Sequence, residues 1–234
     1  MGDLVTYSLA DSIATIAMDD GKVNALSPEM LVALNEAFDQ AADDKAIVIL
    51  TGRPGVFSAG FHLPTLTGGG VESVDLLLGG FELSYRLLSF PTPVVVASTG
   101  HALAMASFLL LSGDYRIGAD TDSKVGANEV AIGMVMPATA IEICRYRLAP
   151  AHFHRAVITA EIYRPAAAVE AGFLDAVVPE SELAAAALDV AARLAKIDMT
   201  AHAHTKHRAR QQMLAAMRVG MEADRTSMRE ALGV

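Results

Sequence analysis

Two apolar runs, each ending in a turn of small residues, constrain this chain more than any other feature. Ala46-Ile47-Val48-Ile49-Leu50-Thr51-Gly52 is β-branched, uncharged and bounded by Gly and Pro, and it predicts a buried strand. It runs into Gly55-Val56-Phe57-Ser58-Ala59-Gly60-Phe61-His62-Leu63, where small residues let a ligand approach the main chain. Pro93-Val94-Val95-Val96-Ala97-Ser98-Thr99-Gly100 is a second buried strand with its own turn, and Ala102 to Leu111 predicts a small-residue helix behind it. Backbone N–H groups leaving two such turns can converge on one oxygen, and their natural target is an oxyanion. Ser58 lies in Gly-x-x-Ser-x-Gly, which does not match the Gly-x-Ser-x-Gly nucleophile elbow of serine hydrolases.

A chain of 234 residues that is 53% hydrophobic and 19% charged has the composition of a globular protein with a substantial core. The formal net charge of −9, with no Lys/Arg-rich block before the C-terminal helix, argues against nucleic acid or an anionic membrane as the main partner. A lone cysteine, Cys144, forms no internal disulfide and reads as a core thiol. The N-terminus shows no basic region followed by an apolar run, so the expected location is the cytoplasm. Leu87 to Gly113 carries no Asp, Glu, Lys or Arg, but Pro91, Pro93 and Gly100-His101 interrupt it; a buried strand, turn and helix account for it better than a membrane span.

Along the chain, Val5 to Leu9 and Ile13 to Met18 predict a hairpin around Ala10-Asp11-Ser12. Ser27 and Pro28 predict the N-cap and first position of a helix running to about Asp43. Gly68-Gly69-Gly70 is a linker with no following Lys-Ser/Thr, so it is no phosphate loop. Val74 to Phe90 predicts a helix stopped by Pro91-Thr92-Pro93, with leucines that serve either core or substrate. Asp114 to Ala119 predicts another strand. Helices are expected over Ala138 to Leu148, Pro150 to Ala160 and Pro165 to Gly172, and then over Glu182 to Lys196 and about Thr200 to Leu232.

Five segments resemble the crotonase (enoyl-CoA hydratase/isomerase) family, in the family's order. Phe57-Ser58-Ala59-Gly60-Phe61-His62-Leu63 is similar to its first oxyanion-hole motif. Gly100-His101-Ala102-Leu103-Ala104-Met105-Ala106 stands where the family shows Gly-x-Ala-x-Gly-Gly-Gly, and Gly113-Asp114-Tyr115-Arg116-Ile117-Gly118-Ala119 resembles the Cys-Asp-x-x-x-Ala that follows. Asn128-Glu129-Val130-Ala131-Ile132-Gly133 resembles the Pro/Asn-Glu-x-x-x-Gly segment that carries a catalytic glutamate, and 166–179 resembles a later Ala-x-x-Gly-Leu-Val segment.

The resemblance implies an α/β fold, the crotonase (ClpP-like) spiral of β-β-α repeats. A core over residues 1–180 would bind acyl-CoA, and a helical region over 181–234 would trimerise and close the active site. It implies Glu129 as the catalytic residue and the backbone N–H groups of Phe61 and Met105 as the oxyanion hole. It further implies substrate or coenzyme A contacts at Lys22, Ala25, Ala59, His62, Leu63 and Phe108, with Asn24 read either as part of that channel or as a turn residue. Coenzyme A would enter as part of the acyl-CoA substrate, with no permanently bound cofactor. The assembly would be a homotrimer or a dimer of trimers, because the alanine-rich helices after Glu182 read as too long for one domain to cover.

In the family's hydratases a second glutamate stands three residues beyond the second oxyanion donor; here that position is Phe108, and the position after Phe61, usually Asp, is His62. One glutamate suits moving a double bond, where a single base shuttles a proton, better than adding water. The expected activity is therefore enoyl-CoA isomerisation, β,γ to α,β. The alternatives are an enoyl-CoA hydratase of altered activity and a non-catalytic acyl-CoA binder. His202, His204 and His207 make no metal set, since His202 and His204 cannot share a helix face and no carboxylate joins them. With Lys206, Arg208 and Arg210 they form the one basic cluster, read as a solvated face or a contact for CoA phosphates or a neighbour's acidic surface.

Overall fold

The computed structural model describes residues 3–232. Strand β1 (Val5–Ala10) pairs antiparallel with β2 (Ile13–Met18) through the expected hairpin. Its two turn residues, Asp11 and Ser12, both have positive φ (49° and 62°), the backbone hand that matches the twist of the flanking strands. Helix α1 (Pro28–Asp43) begins as its sequence dictates: Ser27 Oγ accepts the Met30 N–H at 3.2 Å, and Pro28 occupies a position where a missing N–H costs nothing. Its apolar face, with Leu34 and Phe38 fully buried, covers the sheet.

From there the chain repeats one unit three times. Each repeat sends a strand into a large sheet, a short strand into a small one, and then a helix. The first repeat is β3 (Ile47–Thr51), β4 (Gly55–Ser58), then α2 (Leu63–Thr67) and α3 (Gly70–Ser89). The second is β5 (Val94–Ser98), β6 (Gly100–Leu103) and α4 (Met105–Leu111). The third is β7 (Tyr115–Asp120), β8 (Val125–Gly126), a 3-10 turn over Val130–Ile132 and α5 (Ala138–Arg147). Helices α6 (Pro150–Ile158) and α7 (Pro165–Ala171), strand β9 (Ala176–Pro179), α8 (Leu183–Leu194) and α9 (Met199–Leu232) complete it. The large sheet runs β1-β2-β3-β5-β7-β9, parallel except for β1, and the small one β4-β6-β8, wholly parallel. The centre of the large sheet is buried on both faces, which is why β3 and β5 read as continuous apolar runs rather than alternating ones.

The small sheet corrects the expected second turn. Gly100-His101-Ala102-Leu103 is not the start of a helix but strand β6, paired with β4 and β8, and the helix begins only at Met105. A Cβ on Gly100 would collide with the backbone of Gly55, so the two strands come as close as they do only because residue 100 is glycine.

The C-terminal helices depart from expectation in what covers them. Met213, Leu214, Met217 and Met221 of α9 lie in the same core as α3, α4 and α5, so this domain covers that stripe, while Leu188 of α8 and Val219 of α9 stay exposed. Helix α8 lays Leu183, Ala187, Val190 and Ala191 on the other face of the large sheet. Lys206 and Arg210, one helical turn apart, are buried rather than solvated. The carboxylate of Asp114 receives both, at 2.6 Å and 2.9 Å, together with the Val94 N–H. His204, His207 and Arg208 are exposed. No helix of the described residues is long and apolar enough to cross a membrane.

Asp224 joins α9 to the start of α5. Its carboxylate accepts the Ala138 N–H (2.7 Å), the Thr139 N–H (3.0 Å) and the Thr139 hydroxyl (2.7 Å), satisfying donors that a helix N-terminus leaves open. Asp224→Ala should therefore destabilise the protein by about 3 kcal/mol in urea unfolding, since two or more charge-assisted bonds to buried donors are lost. A loss below about 1 kcal/mol would show the cap to be dispensable.

Candidate active site

The site forms where the first two repeats leave the small sheet. Gly60 (φ 93°) ends the first turn, and a Cβ there would sit 2.9 Å from Leu103 O, 3.0 Å from Ala104 Cβ and 3.2 Å from Met105 N. The turn at Gly60-Phe61 thus lies directly against the start of α4. Neither the Phe61 N–H nor the Met105 N–H has an acceptor among the described residues. Ala104, which precedes Met105, holds φ 50° and ψ −129°. That is glycine territory, which accounts for the glycine this segment's resemblance leads one to expect and costs an alanine on the order of 1–3 kcal/mol. The Phe61 ring lies against Gly80 of α3, where a Cβ would come within 2.5 Å of it.

Between these turns and the third repeat lies a cavity of about 140 Å³. Ala59, Phe61, Leu63, Leu103 and Ala104 line it from the two turns, Leu66, Leu77 and Phe81 from α2 and α3, and Phe108 from α4. Asn128, Glu129, Ile132, Met134 and Pro137 complete it from the segment after β8. Phe81 packs against Phe61 (centroids 6.5 Å apart) and against Phe108 (6.1 Å).

Glu129 is held by its backbone. Its carbonyl accepts the N–H groups of Ile132 (3.1 Å) and Met134 (2.9 Å), and Gly133 closes the turn in the left-handed conformation. Its side chain is 5% exposed, and Oε2 has no hydrogen-bond partner among the described residues. Burial among apolar walls disfavours the charged form and pushes this carboxyl up to about 7, against a small opposing effect of its own backbone N–H. Cys144 of α5 is a buried thiol raised well above its usual range, chiefly by burial and then by the Glu129 carboxylate.

Of the residues singled out in the sequence, Glu129, Phe61, Ala59, Leu63 and Phe108 line this one cavity, and Met105 presents its backbone beside it. Three do not line it. Lys22 is exposed, and the Ala25 N–H is taken by Asp20 Oδ2 at 3.0 Å. The His62 ring bonds Thr65 Oγ1 at 2.9 Å and faces a neighbouring groove with Glu29, Glu72 and Asp75. Lys22 and Ala25 nonetheless flank the first turn, because the Ala59 N–H donates to Val23 O and the Leu26 N–H to Gly60 O. Asn24 resolves as structural: fully buried at φ 51°, its amide donates to Met18 O and Phe57 O. Sequence reasoning missed Asn128, Phe81 and Met134, and it left Leu77 open between core and substrate with the other leucines of its helix. Of these only Asn128 carried a usable signal, a polar side chain next to Glu129 in an otherwise uncharged run, and its Oδ1 is buried without a partner. Among the described residues no group of three His, Cys, Asp or Glu is placed to hold a metal ion.

Strand-strand-helix repeats converging on a buried glutamate beside two backbone N–H turns make this a crotonase-type α/β protein. The enoyl-CoA hydratase/isomerase family model matches residues 8–232, and the chain belongs to that family. A solved family member from Pseudomonas syringae is 48% identical and superposes with a TM-score of 0.95 over 97% of this chain and 98% of that one. An enoyl-CoA hydratase of Mycobacterium marinum is 45% identical with a TM-score of 0.93, covering 96% and 99%. The human mitochondrial enoyl-CoA delta isomerase 1 is 29% identical over 211 residues, 87% of this chain and 69% of that protein. Hydratase and isomerase names thus both occur among the relatives.

The raised carboxyl has a consequence for stability. Folded Glu129 holds its proton up to about pH 7, whereas an unfolded glutamate releases it near 4.5. Its contribution is therefore intact below about pH 4.5 and lost as pH rises through 7. Glu129→Gln, which stays neutral, should gain about 2–3 kcal/mol on the unaltered protein between pH 5 and pH 8. Parallel stability curves for the two proteins would show that Glu129 is not buried as a lone carboxylate.

Proposed function

We propose that the protein is an enoyl-CoA isomerase that moves a β,γ double bond of an acyl-CoA thioester to the α,β position. The observation that carries this reading is that Glu129 is the single charged side chain among the residues lining the cavity. The position where the resembling hydratases place a second glutamate is the buried ring of Phe108. Adding water calls for a group to activate that water and a route for delivering a proton; shifting a double bond needs one base that takes a proton from one carbon and returns it to another.

In this mechanism the Glu129 carboxylate removes a proton from the α-carbon, and the electron pair spreads over the dienolate to the thioester oxygen. The Phe61 and Met105 N–H groups hold that oxygen, each worth about 3 kcal/mol at the transition state. The Glu129 carboxylic acid then delivers the same proton to the γ-carbon, which leaves the double bond conjugated with the thioester. Three features support it: the carboxyl titrates near neutrality, the walls are apolar and keep competing water away, and both N–H groups lack protein acceptors. Lys22 and Ala25, beside the first turn, would meet the coenzyme A portion, with the exposed Lys22 ammonium facing its phosphates.

The experiment is an assay of 3-enoyl-CoA and 2-enoyl-CoA esters for bond migration and for hydration. Migration should dominate, and kcat/KM should rise with pH to a plateau with a midpoint near 7, where Glu129 becomes the free base. Glu129→Gln should cut turnover by a factor on the order of 10² to 10⁴ with little change in acyl-CoA affinity. Phe108→Glu should raise hydration relative to migration. Efficient hydration by the unaltered protein, or near-normal migration by Glu129→Gln, would overturn the assignment.

A further inference from the structure

We infer that the cavity selects short acyl chains, of about four to six carbons, and that Phe108, buttressed by Phe81, is the stop that sets this limit. The inference rests on the reading above that the acyl thioester binds beside Glu129, and it adds which thioesters fit. The cavity has two distinct ends. Leu63 (54% exposed) and Ile132 (50%) mark its mouth, whereas Leu77, Phe81 and Phe108 at the other end are almost wholly removed from solvent.

Its volume sets the capacity. An apolar cavity of roughly 150 Å³ holds one benzene ring, six carbon atoms; this one holds about 140 Å³. Carbons beyond that number would have to displace Phe108, which is packed by Phe81 and lies with Leu109, Leu110 and Leu111 in the main core. Core side chains at native packing density do not yield such space cheaply. The Phe61 ring cannot make room either, because Gly80 and Phe81 hold it against α3.

Binding tests this without relying on turnover. In calorimetric titrations with acetyl-, butyryl-, hexanoyl-, octanoyl- and decanoyl-CoA, affinity should rise about fourfold per added methylene as far as hexanoyl. It should then fall at least tenfold by decanoyl. In Phe108→Ala, which frees space for about six more carbons, the break should move to octanoyl or beyond. Should that variant fail to fold, Phe108→Leu serves, with a smaller shift in the same direction. An unaltered protein that binds decanoyl-CoA as tightly as hexanoyl-CoA, a break that stays put in a folded Phe108 variant, or no saturable binding of any thioester would each overturn the inference. A 3-enoyl-CoA assay run alongside separates the two claims: a length break without bond migration refutes the isomerase reading alone, and migration without a length break refutes this one alone.

Discussion

The architecture depends on one steric constraint, the close approach of the first two repeats where they enter and leave the small sheet. Gly100 rides against the backbone of Gly55, and a few residues later Gly60 rides against Leu103 to Met105. These contacts bring two otherwise independent strand-turn units together, so the turn that carries the Phe61 N–H lies against the start of α4, where the Met105 N–H stands. The strained Ala104 is the cost of that geometry. It is held in place by its own N–H, which donates to Gly126 O, and by its carbonyl, which accepts both the N–H and the hydroxyl of Ser107. Backbone donors fixed in this way need no reorganisation when charge develops on a bound oxygen.

Two carboxylates show how differently one fold can treat the same group. Asp114 is surrounded by partners, Lys206, Arg210 and the Val94 N–H, and serves to join α9 to the sheet. Glu129 has apolar walls and an unpaired oxygen. Glu129 is desolvated with no cation beside it, whereas Asp114 lies within 3 Å of two cations. An unpaired carboxylate in a core is a liability to stability, and its confinement to the one cavity served by both turns is what gives it a chemical meaning.

Much of this was legible in the sequence, for reasons that differ by element. The cap at Ser27-Pro28, the Pro-bounded helices α6 and α7 and the buried strands β3 and β5 follow from local chemistry, and they appear within a residue or two of expectation. The family pattern located Glu129 and both turns. The strands of the small sheet were not legible locally, although the family pattern implied β-β-α repeats, because β8 is two residues long and β6 is a four-residue strand inside a small-residue run that also suits a helix. Leu77 and Phe81 share a helix face with core residues, and no periodicity separates a side chain that lines a cavity from one that fills the core. Lys206 and Arg210 read as a solvated face, since their partner Asp114 lies 92 residues before Lys206.

That sequence separation bears on how the chain reaches its native state. Helix α9 supplies four methionine and leucine side chains to the main core and both cations that neutralise Asp114, so α3 and α5 keep apolar surface uncovered until α9 arrives. Contacts this distant along the chain close slowly, and a half-finished core is adhesive while it waits. During synthesis the spiral therefore spends the translation time of more than 80 residues after Asp114 as an incomplete body, with apolar surface left uncovered until α9 has emerged.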